Sequence, residues 1–423
     1  GLVESGPLKS LLAIAASDRT PEQQQSLLQH YLLTEDVPYQ QLVQKVTQLE
    51  AERDAIQGRS PVTHIQRENP DSPAMANILM RGEYDRVGEE VIADTPAALH
   101  PLPAEAPHDR LGLAKWVVAA ENPLTARVTV NRFWQQLFGQ GFVVTAEDFG
   151  VMGTAPTHPD LLDWLAVDFR ENGWDVKRLF KQMLMSASYR QAAVATRDKL
   201  EKDLNNALVS RGPRFRMDAE MIRDYALASS GLISGKMYGP SVKPYQPSKI
   251  WDMVGLPGGD TRDYMQDQGE GSYRRALYTF WKRMAPPPNL EAFNAPSREV
   301  CTVRRERTNT PLQALVTLND PQFVEAALKL AERSMQAGAG TTDKTIDEIA
   351  ARVLARPLSE RERSILVHSQ IDLLEYYRAN AEDAQALIAV GQAPSDPTIP
   401  AAELAAWTMV CNQVMNLDET LCK

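Results

Sequence analysis

The chain has 423 residues, of which 43% are hydrophobic and 24% charged, and its formal net charge is −10 at pH 7. This length exceeds the roughly 250–300 residues at which one hydrophobic core stops growing, so we expect two or three packed subdomains, and the composition excludes a disordered or fibrous chain. The negative charge argues against a nucleic-acid partner, and no segment approaches the about 20 consecutive apolar residues of a transmembrane helix.

Residues 1–60 are predicted to form a helical hairpin or connector. Thr20-Pro21 with Gln23 is typical of a helix start, and a second helix is predicted from Tyr39 to Ile56, before Gly58. Apolar residues recur at helical spacing in both helices, and in the second helix charged residues lie opposite them. Such a hairpin needs a neighbour to cover the stripe.

Residues 61–110 are predicted to be an extended, proline-rich segment. Seven prolines lie between Pro61 and Pro107, and hydrophobic periodicity is weak there. A short strand is predicted at Asn77–Met80, just before Arg81-Gly82.

Three further subdomains are predicted from the spacing of apolar residues. Residues 111–210 form a helical subdomain, residues 211–320 a mixed irregular subdomain with a strand at Leu277–Trp281, and residues 321–423 a C-terminal helical subdomain. The predicted fold class is therefore mainly α, with multi-helix subdomains, an extended proline-rich segment and at most a small β element.

No local motif for metal, haem or nucleophilic catalysis occurs in the chain. None of the six histidines pairs with another at i,i+3 or i,i+4, and none of the three cysteines forms a C-x-x-C pair. We therefore predict no metal site and no covalent haem in this chain. Cys301 lacks an adjacent histidine to act as base, which favours a packing role, and a disulfide between Cys411 and Cys422 is left open.

Four side chains are weak candidates for acid–base catalysis: Glu220, Asp224, Asp148 and His158. Glu220 and Asp224 lie one helical turn apart, so they form either a carboxylate pair that shares a proton or an ion-pair network with Arg216 and Arg223. His158 lies at a predicted helix start capped by Thr157, where it either contacts a ligand or packs on Trp164.

Residues 298–309, which we call the arginine segment, include four arginines within the ten residues from Arg298 to Arg307. The candidate ligand-binding residues are Arg298, Arg304, Arg305, Arg307 and Asn309, together with Arg127 and Asn131 on an earlier helix. The segment either clamps an anion such as a carboxylate, sulfate or sugar acid, or staples subdomains together, with Glu299 and Glu306 as internal partners. Arg127 and Asn131 are expected to project toward Asp148 or a neighbouring carboxylate.

Four stretches carry a resemblance to a known family. They are NPLTARVTVNRFW at 122–134, EDFG at 147–150 with HPDLLDWLA at 158–166, TVRRERTNTPLQA at 302–314, and NLDE at 416–419. In this order they resemble the C-terminal domain family, of unknown activity, of the large secreted c-type cytochromes of planctomycetes. The resemblance extends from about Pro61 to Glu419.

The resemblance implies an extracytoplasmic, periplasmic setting and an association with electron transfer or polysaccharide breakdown. It implies that haem belongs to an associated cytochrome domain or partner, since this chain lacks C-x-x-C-H. It supplies no catalytic residues. Asn294 stands where relatives are expected to carry aspartate, which argues against an acid or metal ligand there.

Three functions are compatible with these features, and the sequence leaves open whether the chain is an enzyme. The leading hypothesis is an accessory or interaction module of an extracytoplasmic cytochrome-linked system that binds a cytochrome domain or partner protein. The first alternative is a carbohydrate-active enzyme that uses the four acid–base candidates and an arginine clamp for an anionic carbohydrate. The second alternative is a structural subunit of a larger assembly.

Overall fold

The computed structural model describes residues 7–60, 62–67, 69, 71, 75–254 and 261–422. Within these residues the backbone forms 18 α-helices and one two-stranded sheet, with several short 3-10 turns. This confirms the predicted mainly α fold with a small β element. The chain divides into two compact units, residues 1–94 and 95–423.

The described residues of the first unit form three α-helices and the sheet. Its elements are α1 (Pro7–Leu12), α2 (Pro21–Thr34), α3 (Val37–Arg59), β1 (Ala76–Leu79) and β2 (Val87–Val91). Thr20 and Gln23 form the reciprocal bonds of a capping box at the start of α2, which confirms that start signal. β1 confirms the predicted strand and pairs antiparallel with β2, with an irregularity between Asn77 and Leu79.

The second unit begins with a helical layer rich in aromatic residues. Its elements are α4 (Arg110–Val117), α5 (Thr125–Phe138), α6 (Pro159–Glu171), α7 (Val176–Met185), α8 (Ala187–Arg190) and α9 (Arg197–Lys202). The buried faces of α5, α6 and α7 share one core, in which the rings of Trp134 and Phe138 stack with centroids 3.8 Å apart. The apolar residues recur at helical spacing, so each helix presents one stripe to this core.

The rest of the second unit contains α10 (Ala219–Ser230), α11 (Pro288–Glu291), α12 (Pro311–Asn319), α13 (Pro321–Ala337), α14 (Thr342–Val353), α15 (Glu360–Ala379), α16 (Ala381–Ile388), α17 (Ala401–Met415) and α18 (Asp418–Leu421). The main core lies between α10, α13, α14 and α17. Ala326, Ala327 and Ala331 of α13 are fully buried, and their small side chains allow neighbouring helices to approach closely. The narrower subdomain boundaries predicted from the sequence stay predictions.

The strand predicted at Leu277–Trp281 is wrong. Residues Ala276–Tyr278 form a 3-10 turn instead, and Thr279 pairs with Val242 in an isolated parallel bridge. Thr279 is buried while Leu277 is exposed, so two residues that a strand would place on one face do not share one surface.

Candidate functional site

The carboxylates at the start of α10 line a cleft of about 610 Å³. Asp218, Glu220 and Asp224 share this cleft, as the one-turn spacing of the last two predicts. Arg275, Arg298 and Arg305 line the same cleft. The cleft therefore holds charges of both signs.

Glu220 forms a bidentate ion pair with Arg305. Nη1 of Arg305 donates to Oε2 of Glu220 at 2.5 Å, and Nη2 donates to Oε1 at 3.2 Å. Both side chains are mostly buried, and Nη1 is also 3.9 Å from Asp218. Both carboxylate oxygens of Glu220 are therefore already occupied by Arg305 within the protein.

The expected neutralising role of Arg216 is wrong. Its Nη2 donates to Oε1 of Gln313 at 3.1 Å, and its Nη1 lies 3.7 Å from Asp418 of α18. Arg305, 85 residues from Glu220 in sequence, takes the place that local spacing assigned to Arg216.

Asp224 accepts a hydrogen bond of 2.7 Å from the backbone N–H of Ala276. Burial raises the pKa of its carboxyl group, against the opposing effects of that hydrogen bond and of Arg223 at 3.6 Å. Arg223 is itself buried and donates to the Oε1 of Gln322 and to two backbone carbonyls. Burial lowers the pKa of Arg223 to about 10, so it stays charged at neutral pH.

The arginine segment joins parts of the second unit that are distant in sequence. Arg307 donates to the carbonyl of Gly139 at 3.0 Å and lies over the ring of Phe215, with 4.1 Å between Cζ and the ring centroid. Arg304 lies 3.5 Å from Glu147, and both side chains are half exposed. These contacts agree with the second role considered for the segment, in which its arginines hold distant parts of the chain together.

The prediction that Glu299 and Glu306 pair with arginines of their own segment is wrong. Glu299 lies 3.6 Å from Arg283, outside the segment, and Glu306 is exposed. The acids that hold the arginines come from α10 and from the loop after α5. Asn309 is exposed at the end of the segment.

A second, more polar groove of about 510 Å³ adjoins the cleft, because Arg298 and Arg305 line both. We call it the arginine groove; its lining includes Arg132, Arg298, Glu299, Cys301, Thr302 and Arg305. Cζ of Arg298 lies 4.7 Å from the ring centroid of Trp281, and its backbone has a φ of 64°, a conformation uncommon for a residue other than glycine. Arg132 is exposed and forms no ion pair within the described residues.

Arg127 and Asn131 lie on α5 but do not join the arginine groove. Nε of Arg127 lies 2.5 Å from Asp163, so its partner is a neighbouring carboxylate and not Asp148. Asn131 is fully buried and exchanges two hydrogen bonds with the backbone of Val143, at 2.9 and 3.0 Å. It fixes the turn after α5.

Asp148 and His158 are also separate from the carboxylates of the cleft. Asp148 accepts a hydrogen bond of 2.7 Å from the N–H of Gly150 within a turn. His158, not Thr157, is the residue that caps α6, and it makes no side-chain capping bond. Its ring meets Phe142 edge to face, whereas the expected packing on Trp164 is wrong because that side chain is largely exposed.

The sequence did not identify Arg275 or Asp218 as members of the cleft. Arg275 follows Arg274, and this basic pair gives no sign that one side chain is buried while the other is exposed. Asp218 was recognised only as a helix start. Asp218 lies only two residues before Glu220, whereas the tertiary fold brings Arg275 to the cleft from a distant part of the sequence.

Within the described residues no group of three or more His, Cys, Asp or Glu side chains is arranged to hold a metal ion. The three cysteines are free thiols, with Cys301 exposed and Cys411 buried. Burial raises the pKa of the Cys411 thiol, which makes it less reactive. No helix among the described residues is long and apolar enough to cross a membrane.

Residues 109–369 match the model of PSD1, a protein family of unknown function (DUF1553). The chain belongs to the DUF1553 family. The DUF1553 region includes α10 and the whole arginine segment, whereas α17, which completes the main core, lies beyond it. No curated protein and no solved structure matches the chain.

Proposed function

We propose that the chain is an accessory module of an extracytoplasmic, cytochrome-linked system and binds an acidic surface of a cytochrome partner at the arginine groove. One observation carries this proposal: Arg132 and Arg298 line an accessible polar groove without an acid partner among the described residues, while Glu220 and Asp224 are engaged within the protein. Two unpaired guanidinium groups favour carboxylates as ligands.

The distribution of charge supports an acidic partner. Residues 211–310 hold 16 lysines and arginines against 11 aspartates and glutamates, although the whole chain has a net charge of −10. A local positive region on an acidic protein steers an acidic partner toward that region and repels it elsewhere. The orientation of the complex is therefore set by the arginine groove.

The cytochrome assignment rests on the resemblance of the four sequence stretches to the domain that accompanies secreted cytochromes. Because the chain has no C-x-x-C-H, haem belongs to an associated domain or partner. Electron transfer is then the partner's chemistry, and this chain supplies position and specificity. A weak interface is sufficient for such a role, since electron-transfer encounters bury little surface.

Native mass spectrometry of the protein from its source tests the proposal, with absorbance of the complex as the readout for haem. The wild-type chain is expected to be found with a haem protein. With the variant Arg132→Glu/Arg298→Glu, the amount of haem protein found in the complex is expected to fall by at least about 90%, because both cationic contacts become repulsive.

The matched control is Lys177→Glu/Lys181→Glu, which reverses two exposed charges on α7 outside the arginine groove. It changes net charge equally and is expected to retain the haem protein. Absence of haem from the wild-type complex, or equal losses in both variants, contradicts the proposal.

One observation favours the carbohydrate enzyme as a second candidate. Asp224 lies in the cleft beside Arg275, and burial raises the pKa of its carboxyl group, as a general acid requires. Turnover of a polyuronate by the purified chain, abolished in Asp224→Asn, supports this candidate. In that case Arg275 and Arg298 bind the anionic sugar, and the accessory role is abandoned.

A further inference from the structure

Helix α3 is exposed along almost its whole length. Every residue from 41 to 60 is exposed, and α3 has no buried residue. The helix has 23 residues, and helices in proteins gain most of their stability by packing an apolar face. Among the described residues α3 contacts α2, but this contact buries none of its residues, so the apolar face of α3 is left without a covering surface.

The exposed apolar residues of α3 follow a heptad pattern. The stripe alternates steps of three and four residues, with Tyr39, Val46 and Arg53 at a positions and Leu42, Leu49 and Ile56 at d positions. Leu42 is 62% exposed, and Val46 and Leu49 are each 54% exposed. Valine at a with leucine at d favours a parallel two-stranded coiled coil.

The charges beside the stripe are complementary to those of a second copy. Lys45 occupies a g position and Glu50 the e position of the next heptad, so a parallel, in-register pair places each lysine beside the partner's glutamate. Neither side chain forms an ion pair within the described part of the chain. Both are therefore available for contact across the seam.

Arg53 interrupts the apolar stripe at an a position. It forms an exposed ion pair with Asp54 at 2.8 Å, and its aliphatic stem can cover the seam while the guanidinium group remains in water. A single polar a residue lowers stability but fixes register and the number of strands. We propose that α3 pairs in parallel, in register, with α3 of a second copy of this chain, and thereby makes the protein a dimer.

Sedimentation equilibrium of the full chain across about 1–100 μM tests this inference, a range suited to a short interface. The wild-type chain is expected to show a monomer–dimer equilibrium. Leu42→Glu/Leu49→Glu is expected to raise the dissociation constant at least about 100-fold, because four leucines per dimer lose their apolar contacts.

The matched control is Gln41→Glu/Gln48→Glu, which adds the same charge at c positions away from the seam. It is expected to change the dissociation constant by less than about threefold. A wild-type chain that is monomeric across the whole range overturns the inference, as does equal weakening in the leucine variant and the control. A monomer that binds only a different protein also overturns it.

A charge exchange tests the parallel register. Residue 45 of each chain meets residue 50 of the other, so Lys45→Glu and Glu50→Lys each place like charges together at both of these contacts. Each variant alone is therefore expected to dimerise about 3–10-fold more weakly. A mixture of the two variants restores opposite charges at both contacts and is expected to form the heterodimer at wild-type strength. Failure of the mixture to recover affinity overturns the parallel pairing.

Discussion

Glu325 lies on α13 with no exposed surface, and its Oε1 atom accepts three hydrogen bonds. The donors are the hydroxyl of Tyr273 and the backbone N–H groups of Gln392 and Ala393, each at 2.7 Å. Gly391, with a φ of 103°, has no room for a Cβ atom, which would lie 2.5 Å from Cδ of Glu325. The carboxyl group thus anchors the loop between α16 and α17.

Replacement of Glu325 by leucine is expected to destabilise the protein by about 3–5 kcal/mol, because three buried donors lose their acceptor. The free energy of unfolding, from urea titration, measures the effect. The matched variant Glu325→Gln keeps an oxygen at the same place and is expected to lose less than half as much. Equal losses in the two variants contradict the anchoring role.

The arginine segment connects elements through contacts of unequal strength. Arg305 makes two hydrogen bonds to Glu220 of α10 with both side chains largely buried, whereas Arg304 meets Glu147 at 3.5 Å with both half exposed. Water screens the second pair much more than the first. The segment should therefore be held mainly through α10.

Arg305→Ala is expected to destabilise the protein by about 2 kcal/mol, since it leaves Glu220 partly buried without its partner. Arg304→Ala is expected to change stability by less than about 0.5 kcal/mol. Hydrogen exchange of residues 298–309 is the second measurement, and only Arg305→Ala should accelerate it. Similar exchange in both variants would mean that other contacts hold the segment.

At the scale of the whole molecule, Arg356 ties the end of the chain to the main helical core. It binds Glu362 in the first turn of α15 and Glu419 in α18, and Glu362 also completes the capping box with Ser359. The hydrogen bond from Arg356, with those from Ser359, lowers the pKa of Glu362 from 4.5 to about 2. A lowered pKa in the folded protein stabilises the fold where the carboxyl group is ionised.

The stabilisation from Glu362 is expected to be complete above about pH 5 and to be lost as pH falls from 4.5 toward 2. Glu362→Gln retains capping ability and removes the charge, so it should lower the free energy of unfolding by about 0.5–1 kcal/mol at pH 7. The difference between wild type and variant should shrink steadily between pH 5 and pH 3. A difference independent of pH would show that charge is not its cause.

The sequence by itself determined the helical character of the chain and several helix boundaries. Thr20 with Gln23 and Ser359 with Glu362 form the capping boxes that their spacing indicates, and the apolar residues of α7 and α17 recur at helical intervals. These features are local, since a cap or an amphipathic stripe depends on residues within one or two turns.

The tertiary structure decided which charges meet. Glu220 pairs with Arg305 rather than Arg216, and Arg307 reaches the carbonyl of Gly139, 168 residues away in sequence. The segment Leu277–Trp281, for which a strand was expected, begins in a 3-10 turn instead, because a strand requires a neighbouring strand with which to pair. Side-chain pairing and sheet formation depend on contacts between distant segments, and those contacts exist only after the helices have packed.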